Sequence, residues 1–271
     1  MKRVAVLQLP GSNCEWETIR VLRTVGLDAE IFRWNGAPAQ LARHDAVAIP
    51  GGFAFEDRVR AGALAAKLPI MDAVAGMAAE GKGVLGICNG AQILIEAGLV
   101  PALVPGRVEM ALAPNENGRA GYDCRWVRIA RGPKAARSIL TCALPDDAIV
   151  PVPIAHAEGR FTARDESILG ELESSGRVLL RYVDERGAPG ADAAVNPNGS
   201  LGAIAALGNA DGNVAAIMPH PERSSWMFQV PDRLDDAWGE RRRAARTREA
   251  LDAPGPGRAI FESVRRFLEE R

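Results

Sequence analysis

Apolar residues in the first hundred positions fall into short unbroken runs separated by amphipathic stretches. Val4 to Leu9 is the first run, Ala29 to Phe32 the second, Ala46 to Ile49 the third and Val84 to Ile87 the fourth. Runs of this length without polar alternation predict strands buried on both faces. Between them the period lengthens. Pro10-Gly11-Ser12-Asn13 predicts a turn ending in N-cap residues, followed by a helix with Ile19, Leu22 and Val25 inward that closes at Gly26. Ile70 to Glu80 predicts another helix, closed by Gly81. Strands alternating with helices predict an α/β fold, a mostly parallel central sheet with helices on both faces. Ligands bind such sheets beyond the carboxyl ends of the strands. Pro50-Gly51-Gly52 and Cys88 both fall at such ends.

The second half changes character. Arg107 to Ala113, Tyr122 to Ile129, Val150 to Ala155 and Val178 to Val183 predict shorter, added antiparallel strands with turn-rich connections. Arg186 to Ser200, rich in Gly, Pro and Asn, predicts a surface loop. Ile204 to Leu207 and Val214 to Met218 flank a Gly/Asn/Asp turn and predict a hairpin. Asp232 to Asp252 is densely charged with mixed sign and predicts solvated surface, either an exposed helix or an insertion. Pro254-Gly255-Pro256-Gly257 ends it. A last helix, Arg258 to Glu270, carries Ile260, Val264, Phe267 and Leu268 on one face. The 271 residues, with no internal repeat, are read as a single domain, 1–271, with 232–257 as a charged insertion before the last helix.

Charge narrows the function classes. A formal net charge of -1 gives no electrostatic case for nucleic acid or an anionic membrane. The apolar run after Met1-Lys2-Arg3 is too short for a signal peptide, and no run is long enough to cross a bilayer. Cysteines at 14, 88, 124 and 142 show no C-x-x-C pairing, which suits reduced thiols in a cytoplasm.

The chemistry centres on Gly86-Ile87-Cys88-Asn89-Gly90, the spacing of a nucleophile elbow with cysteine in place of serine. A strand that turns sharply into a helix leaves no room for side chains against the turn. The sulfur then stands exposed near a helix N-terminus, where the partial positive charge favours thiolate. A free cysteine is otherwise most often a small buried hydrophobe, so Cys88 needs a base. His44, in a polar stretch, reads as a surface residue. His156-Ala157-Glu158 and His220-Pro221-Glu222 both have the H-x-E pattern. Pro221 favours an extended His220, which would turn Glu222 to the same side, so His220 is the better base; His156 stays open. Neither copy is followed by the P-C-x-x-C of zinc deaminases. Gly81-Lys82-Gly83-Val84-Leu85-Gly86 spells G-x-G-x-x-G but precedes its strand, so it is no dinucleotide site. No Walker A pattern is present.

Gly86 to Gly90 with Gln92, the Pro50-Gly51-Gly52-Phe53 loop and His220-Pro221-Glu222 resemble class I glutamine amidotransferases. Arg60-Ala61-Gly62, Pro153 to Phe161, Asn196 to Ser200 and Met218 to Arg223 resemble, more narrowly, the glutaminase subunits of phosphoribosylformylglycinamidine synthases. The resemblance implies a flavodoxin-like amidotransferase fold and a catalytic set of Cys88, His220 and Glu222. It implies oxyanion donors from the backbone of Gly52 or Phe53 and of Asn89, with Gly51 and Gly52 letting the backbone approach glutamine, and Gln92 holding the polar end of the substrate. His156, Glu158 and Arg160 would lie at the active site or at an interface. The chain itself would carry no metal and no cofactor. Ammonia would pass to a separate synthase subunit that uses ATP, with magnesium, and formylglycinamide ribonucleotide, assembled with a small third subunit; the alternative is another acceptor synthase. Two departures stand out: Glu56 where the resembled loop has glycine, and Ala157 where glycine is usual.

Overall fold

The computed structural model describes residues 1–116 and 121–271. Strands β1 (Arg3–Gln8), β2 (Asp28–Arg33), β3 (Ala46–Ile49) and β4 (Gly83–Ile87) form where the apolar runs predict them. Helices α1 (Glu15–Thr24), the short α2 (Pro38–Leu41) and α3 (Ile70–Ala79) separate them, and α4 (Asn89–Glu96) follows β4. Then come β5 (Ala111–Ala113), β6 (Asp123–Arg131), β7 (Ile149–His156), β8 (Arg160–Thr162), α5 (Ile168–Ser174), β9 (Val178–Val183), β10 (Ile204–Gly208) and β11 (Val214–Ile217). The chain ends in α6 (Ala237–Ala244), α7 (Arg248–Asp252) and α8 (Arg258–Glu269).

Among the described residues, nine strands make one sheet in the order β2-β1-β3-β4-β11-β10-β9-β6-β7. Pairings from β2 through β11 are parallel, and the rest, from β11 through β7, are antiparallel. The parallel half carries the doubly covered core: β3 and β4 are buried at every position. Helix α8 seals one face with Ile260, Phe261, Val264, Phe267 and Leu268.

The antiparallel strands differ from expectation. β6 and β7 span nine and eight residues and extend the main sheet, and among the described residues only β5 and β8 form a separate pair. In Arg107 to Ala113, just Ala111–Ala113 is strand. The N-cap of α1 is Cys14 itself, without a side-chain cap bond, rather than Ser12 or Asn13. His44 is buried, not a surface residue: its ring bridges Leu41 O at 3.0 Å and Glu30 Oε1 at 2.8 Å, which gives both nitrogens partners inside the fold. Residues 232–252 fold as the short, largely exposed helices α6 and α7.

Candidate active site

β4 and β11 run parallel with Ile87 opposite Ile217, so the chain leaves both strands at the same sheet end. Cys88 follows Ile87, and His220 follows Ile217 by three residues. The backbone at Cys88 is forced to φ 51°, ψ -106°, a conformation that L-residues rarely adopt and that clusters at functional sites. The turn is this tight because α4 packs directly on β3: a Cβ on Gly90 would stand 1.9 Å from the Ile49 carbonyl oxygen. Contrary to the exposed nucleophile expected from the motif, Cys88 is only 5% accessible, because β7 closes over it. Its Sγ lies 3.7 Å from the Ala155 carbonyl oxygen.

Met218 N–H donates to Ala205 O and His220 N–H to Pro153 O, which anchors the segment after β11 to β10 and β7. The expected extended arrangement of His220 and Glu222 is not what forms. Pro221–Arg223 is a 3₁₀ turn, and it curls the carboxylate back so that Nδ1–H of His220 donates to Glu222 Oε1 at 2.5 Å. His220 is 2% and Glu222 0% accessible. Burial alone would lower the His220 pKa. The charge of Glu222, and then that of Cys88, outweigh it and raise His220 well above its ordinary value. The buried imidazolium is therefore stabilised in place.

Gly51 and Gly52 form the opposite wall. A Cβ on Gly51 would stand 2.7 Å from His220 Cε1 and 3.1 Å from Cys14 Sγ. Gly52 adopts φ +156°, and a Cβ there would fall 2.6 Å from Ser12 Cα. Phe53 N–H is committed to Gly11 O at 2.8 Å, so of the two expected donors in this loop the Gly52 N–H is the one left. Asn89 N–H, at the start of α4, has no intrahelical acceptor to turn to.

Cys88, Gln92, Asp57 and Glu158 line a cleft of about 60 Å³ together with Gly52 and His156. Phe53 and Tyr122 stack at its edge, ring centroids 6.3 Å apart. Gln92 has both ends of its amide engaged: Nε2 donates to Glu158 O at 2.7 Å, and Oε1 accepts from Asn89 Nδ2 at 2.9 Å. Asn89 Nδ2 also reaches Asp57 Oδ1 at 3.2 Å, and Asn89 Oδ1 accepts from Ala54 N–H at 3.0 Å. Glu158 Oε2 accepts from Ala61 N–H at 3.1 Å.

His156 lies in the cleft wall but is kept neutral: burial, with the nearby charge of His220, lowers its pKa to about 3. Asn115 fixes its tautomer. Asn115 Nδ2 donates to Gly121 O and His156 O, so Oδ1 is the acceptor, 3.2 Å from His156 Nδ1. Arg160 is turned elsewhere, donating to Pro114 O at 3.0 Å and to Glu116 at 2.6 Å.

Two residues at the site escape a sequence reading, Asp57 and Cys14, as does the contact that Arg223 makes there. Cys14 Sγ accepts from Arg223 Nη2 at 2.9 Å and, with His220 and Glu222, offers donor atoms within 4.8 Å of one another. The Arg223 guanidinium on that sulfur opposes a cation there. Neither Cys14 nor Asp57 sits in a recognisable spacing, since the fold alone brings residue 14 to His220 after β11 and residue 57 to Asn89 after β4.

Residues 1–268 match the CobB/CobQ-like glutamine amidotransferase domain family. The subunit PurQ of phosphoribosylformylglycinamidine synthase from Methanothrix thermoacetophila is 40% identical, with 99% of each chain covered. Its counterpart from Symbiobacterium thermophilum is 46% identical over 82% of this chain and 88% of its own. Among solved structures, a chain of PurLQS from Thermotoga maritima superposes with a TM-score of 0.71 at 28% identity, covering 98% of this chain and 99% of that one. The glutaminase domain of Trypanosoma brucei CTPS shares the fold at 14% identity and a TM-score of 0.57, covering 100% of this chain and 95% of its own. The chain therefore belongs to the glutamine amidotransferases, in the family of the PurQ subunits of phosphoribosylformylglycinamidine synthase.

Proposed function

We propose that Cys88, His220 and Glu222 carry out the glutaminase half-reaction for a partner synthase. His220 takes the Cys88 thiol proton, and the sulfur adds to the side-chain amide carbon of glutamine. The N–H groups of Gly52 and Asn89 stabilise the oxyanion. The tetrahedral intermediate collapses with loss of the C–N bond, and the proton on His220 goes to the departing ammonia. Water, deprotonated by the same imidazole, then cleaves the glutamyl thioester to glutamate and restores the thiol. Glu222 holds the imidazole in one tautomer and stabilises its charged form.

The observation that carries this reading is the buried His220–Glu222 pair at 2.5 Å, set at the end of β11 beside the strained Cys88 turn at the end of β4. The names of the relatives support the acceptor: formylglycinamide ribonucleotide, converted with ATP to formylglycinamidine ribonucleotide in purine biosynthesis. The ATP and magnesium belong to a separate synthase subunit, and a small third subunit completes the complex. The whole chain acts as one amidotransferase domain, with residues 232–257 as an insertion. Four unpaired thiols suit a cytoplasmic setting, and no helix among the described residues is long and apolar enough to cross a membrane.

The test is glutamate release from glutamine by the assembled complex, beside Cys88→Ala. The variant is expected to assemble normally and to lose activity by about 10⁴-fold or more. Undiminished glutamate release from Cys88→Ala would refute the assignment.

A further inference from the structure

Three segments from distant parts of the chain meet around the His220 ring. The first carries the base: the Pro221–Arg223 turn curls Glu222 back onto Nδ1. The second is the glycine loop, Gly51 to Phe53. Among the described residues, no hydrogen bond runs directly between these two. The third segment, Gly11 to Cys14 before α1, touches both. Gly51 O accepts from the N–H groups of Asn13 and Cys14, each at 3.2 Å, and Gly11 O accepts from Phe53 N–H. Ser12 and Gly52 pair as an isolated antiparallel bridge. On its other side the buried Cys14 side chain meets the base segment. Its thiol donates to Asn13 Oδ1 at 3.0 Å, and Sγ accepts from Arg223 Nη2 at 2.9 Å. Burial pushes this thiol up, which keeps it protonated at neutral pH. Sγ also lies within 4.8 Å of a His220 ring nitrogen and of a Glu222 oxygen. The imidazole needs such a neighbour. Glu222 holds Nδ1, but Nε2 has no hydrogen-bond partner. The swing of the ring about its Nδ1 bond is therefore limited by the atoms packed against it, and Gly51 and Cys14 are among them.

We infer that Cys14 and Arg223 are positioning residues whose contact fixes the base against the oxyanion loop. This rests on the glutaminase reading above. The Gly52 N–H must meet the oxygen, and the imidazole the nitrogen, of one amide group. Their spacing decides whether both act in the same transition state. Arg223 belongs to the base turn, and Cys14 belongs to the segment that holds the glycine loop, so their contact is the strut between the two. Arg223 reaches it from the rim: its side chain is 34% exposed, and its Nε stands 4.0 Å from Glu222 Oε1. A neutral thiol suits the place, because it accepts from the guanidinium without setting a second negative charge beside Glu222.

The experiment is a double-mutant cycle on the assembled complex, read by steady-state glutamate release from glutamine. Wild type, Cys14→Ala, Arg223→Met and the double variant are compared, with Cys14→Ser alongside. Cys14→Ala is expected to lower kcat roughly 10-fold with KM for glutamine little changed, since a small misplacement of the base costs turnover and not binding. Cys14→Ser keeps a donor for Asn13 and an acceptor for Arg223, and is expected to recover most of that loss. Arg223→Met is expected to lower kcat further than Cys14→Ala, because it also removes the charge near Glu222. The double variant is expected to fall no lower than Arg223→Met alone, the mark of two residues acting through one contact. An unchanged kcat in Cys14→Ala, a loss there that appears in KM alone, no recovery in Cys14→Ser, or losses that multiply in the double variant would overturn the proposal. A wild-type complex that leaves glutamine intact would overturn the glutaminase reading and this proposal with it.

Discussion

At the scale of single residues, the site depends on one buried carboxylate. Glu222 has no exposure and spends one oxygen on His220. Replacing it with Gln keeps the shape but removes the charge that stabilises imidazolium. Glu222→Gln is expected to lower kcat about 10³-fold, with KM for glutamine little changed, as read by steady-state glutamate release. The same pair makes stability depend on pH. His220 titrates higher in the folded chain than the ordinary value of 6.5, so its contribution is complete below that value and is lost as pH rises through the folded one. Urea unfolding should therefore show stability falling on the alkaline side, with a shallower fall in Glu222→Gln. A wild-type curve that rises there would contradict this electrostatic assignment.

How far individual residues were legible follows from whether their partners lie close in sequence. Cys88 and the His220–Glu222 pair stand in short motifs, and the fold sets both at neighbouring strand ends, with Cys88 more buried and His220 less extended than those motifs predict. The burial of His44 is not legible in sequence, because its partner Glu30 lies on β2 and nothing local marks the histidine as buried. Cys14 and Asp57 reach the site through tertiary packing alone. The route by which Glu222 meets His220 was also hidden, since a 3₁₀ turn and an extended segment share the same H-P-E spelling.

At the scale of elements, the loop after β3 stores backbone strain. Phe55, Glu56, Asp57 and Val59 all have φ between 53° and 73°. Glu56 stands where the resembled loop has glycine, and a non-glycine residue in that region costs roughly 1–2 kcal/mol. Glu56→Gly is expected to recover about 1 kcal/mol in equilibrium unfolding, offset in part by the greater freedom glycine has when unfolded. A variant less stable than wild type would show that the Glu56 side chain holds the loop through its contact with Arg58. The elbow is the counterpart on the other side of the site. There the close approach of α4 to β3 leaves no room at Gly90, which is why its glycine spacing could be read directly.

At the scale of the whole molecule, the sheet divides the work. Its parallel half places Cys88, His220 and the glycine loop at neighbouring strand ends, while the antiparallel extension brings β7 over the cleft with Ala155, His156 and, just beyond, Glu158. The parallel half was legible because strands buried on both faces appear as continuous apolar runs. The extension was less so. β6 and β7 mix arginines and prolines with apolar residues, and the pattern understates their length and their membership in the main sheet.

The proposed reaction acylates Cys88 and not Cys14, the second thiol beside His220. The direct measurement is intact-mass and peptide analysis of the complex after acid quenching during turnover with glutamine. One glutamyl adduct is expected, on the peptide containing Cys88, present in Cys14→Ala and absent in Cys88→Ala. An adduct on Cys14, or steady turnover that leaves Cys88 unmodified at every quench time and persists in Cys88→Ala, would contradict it.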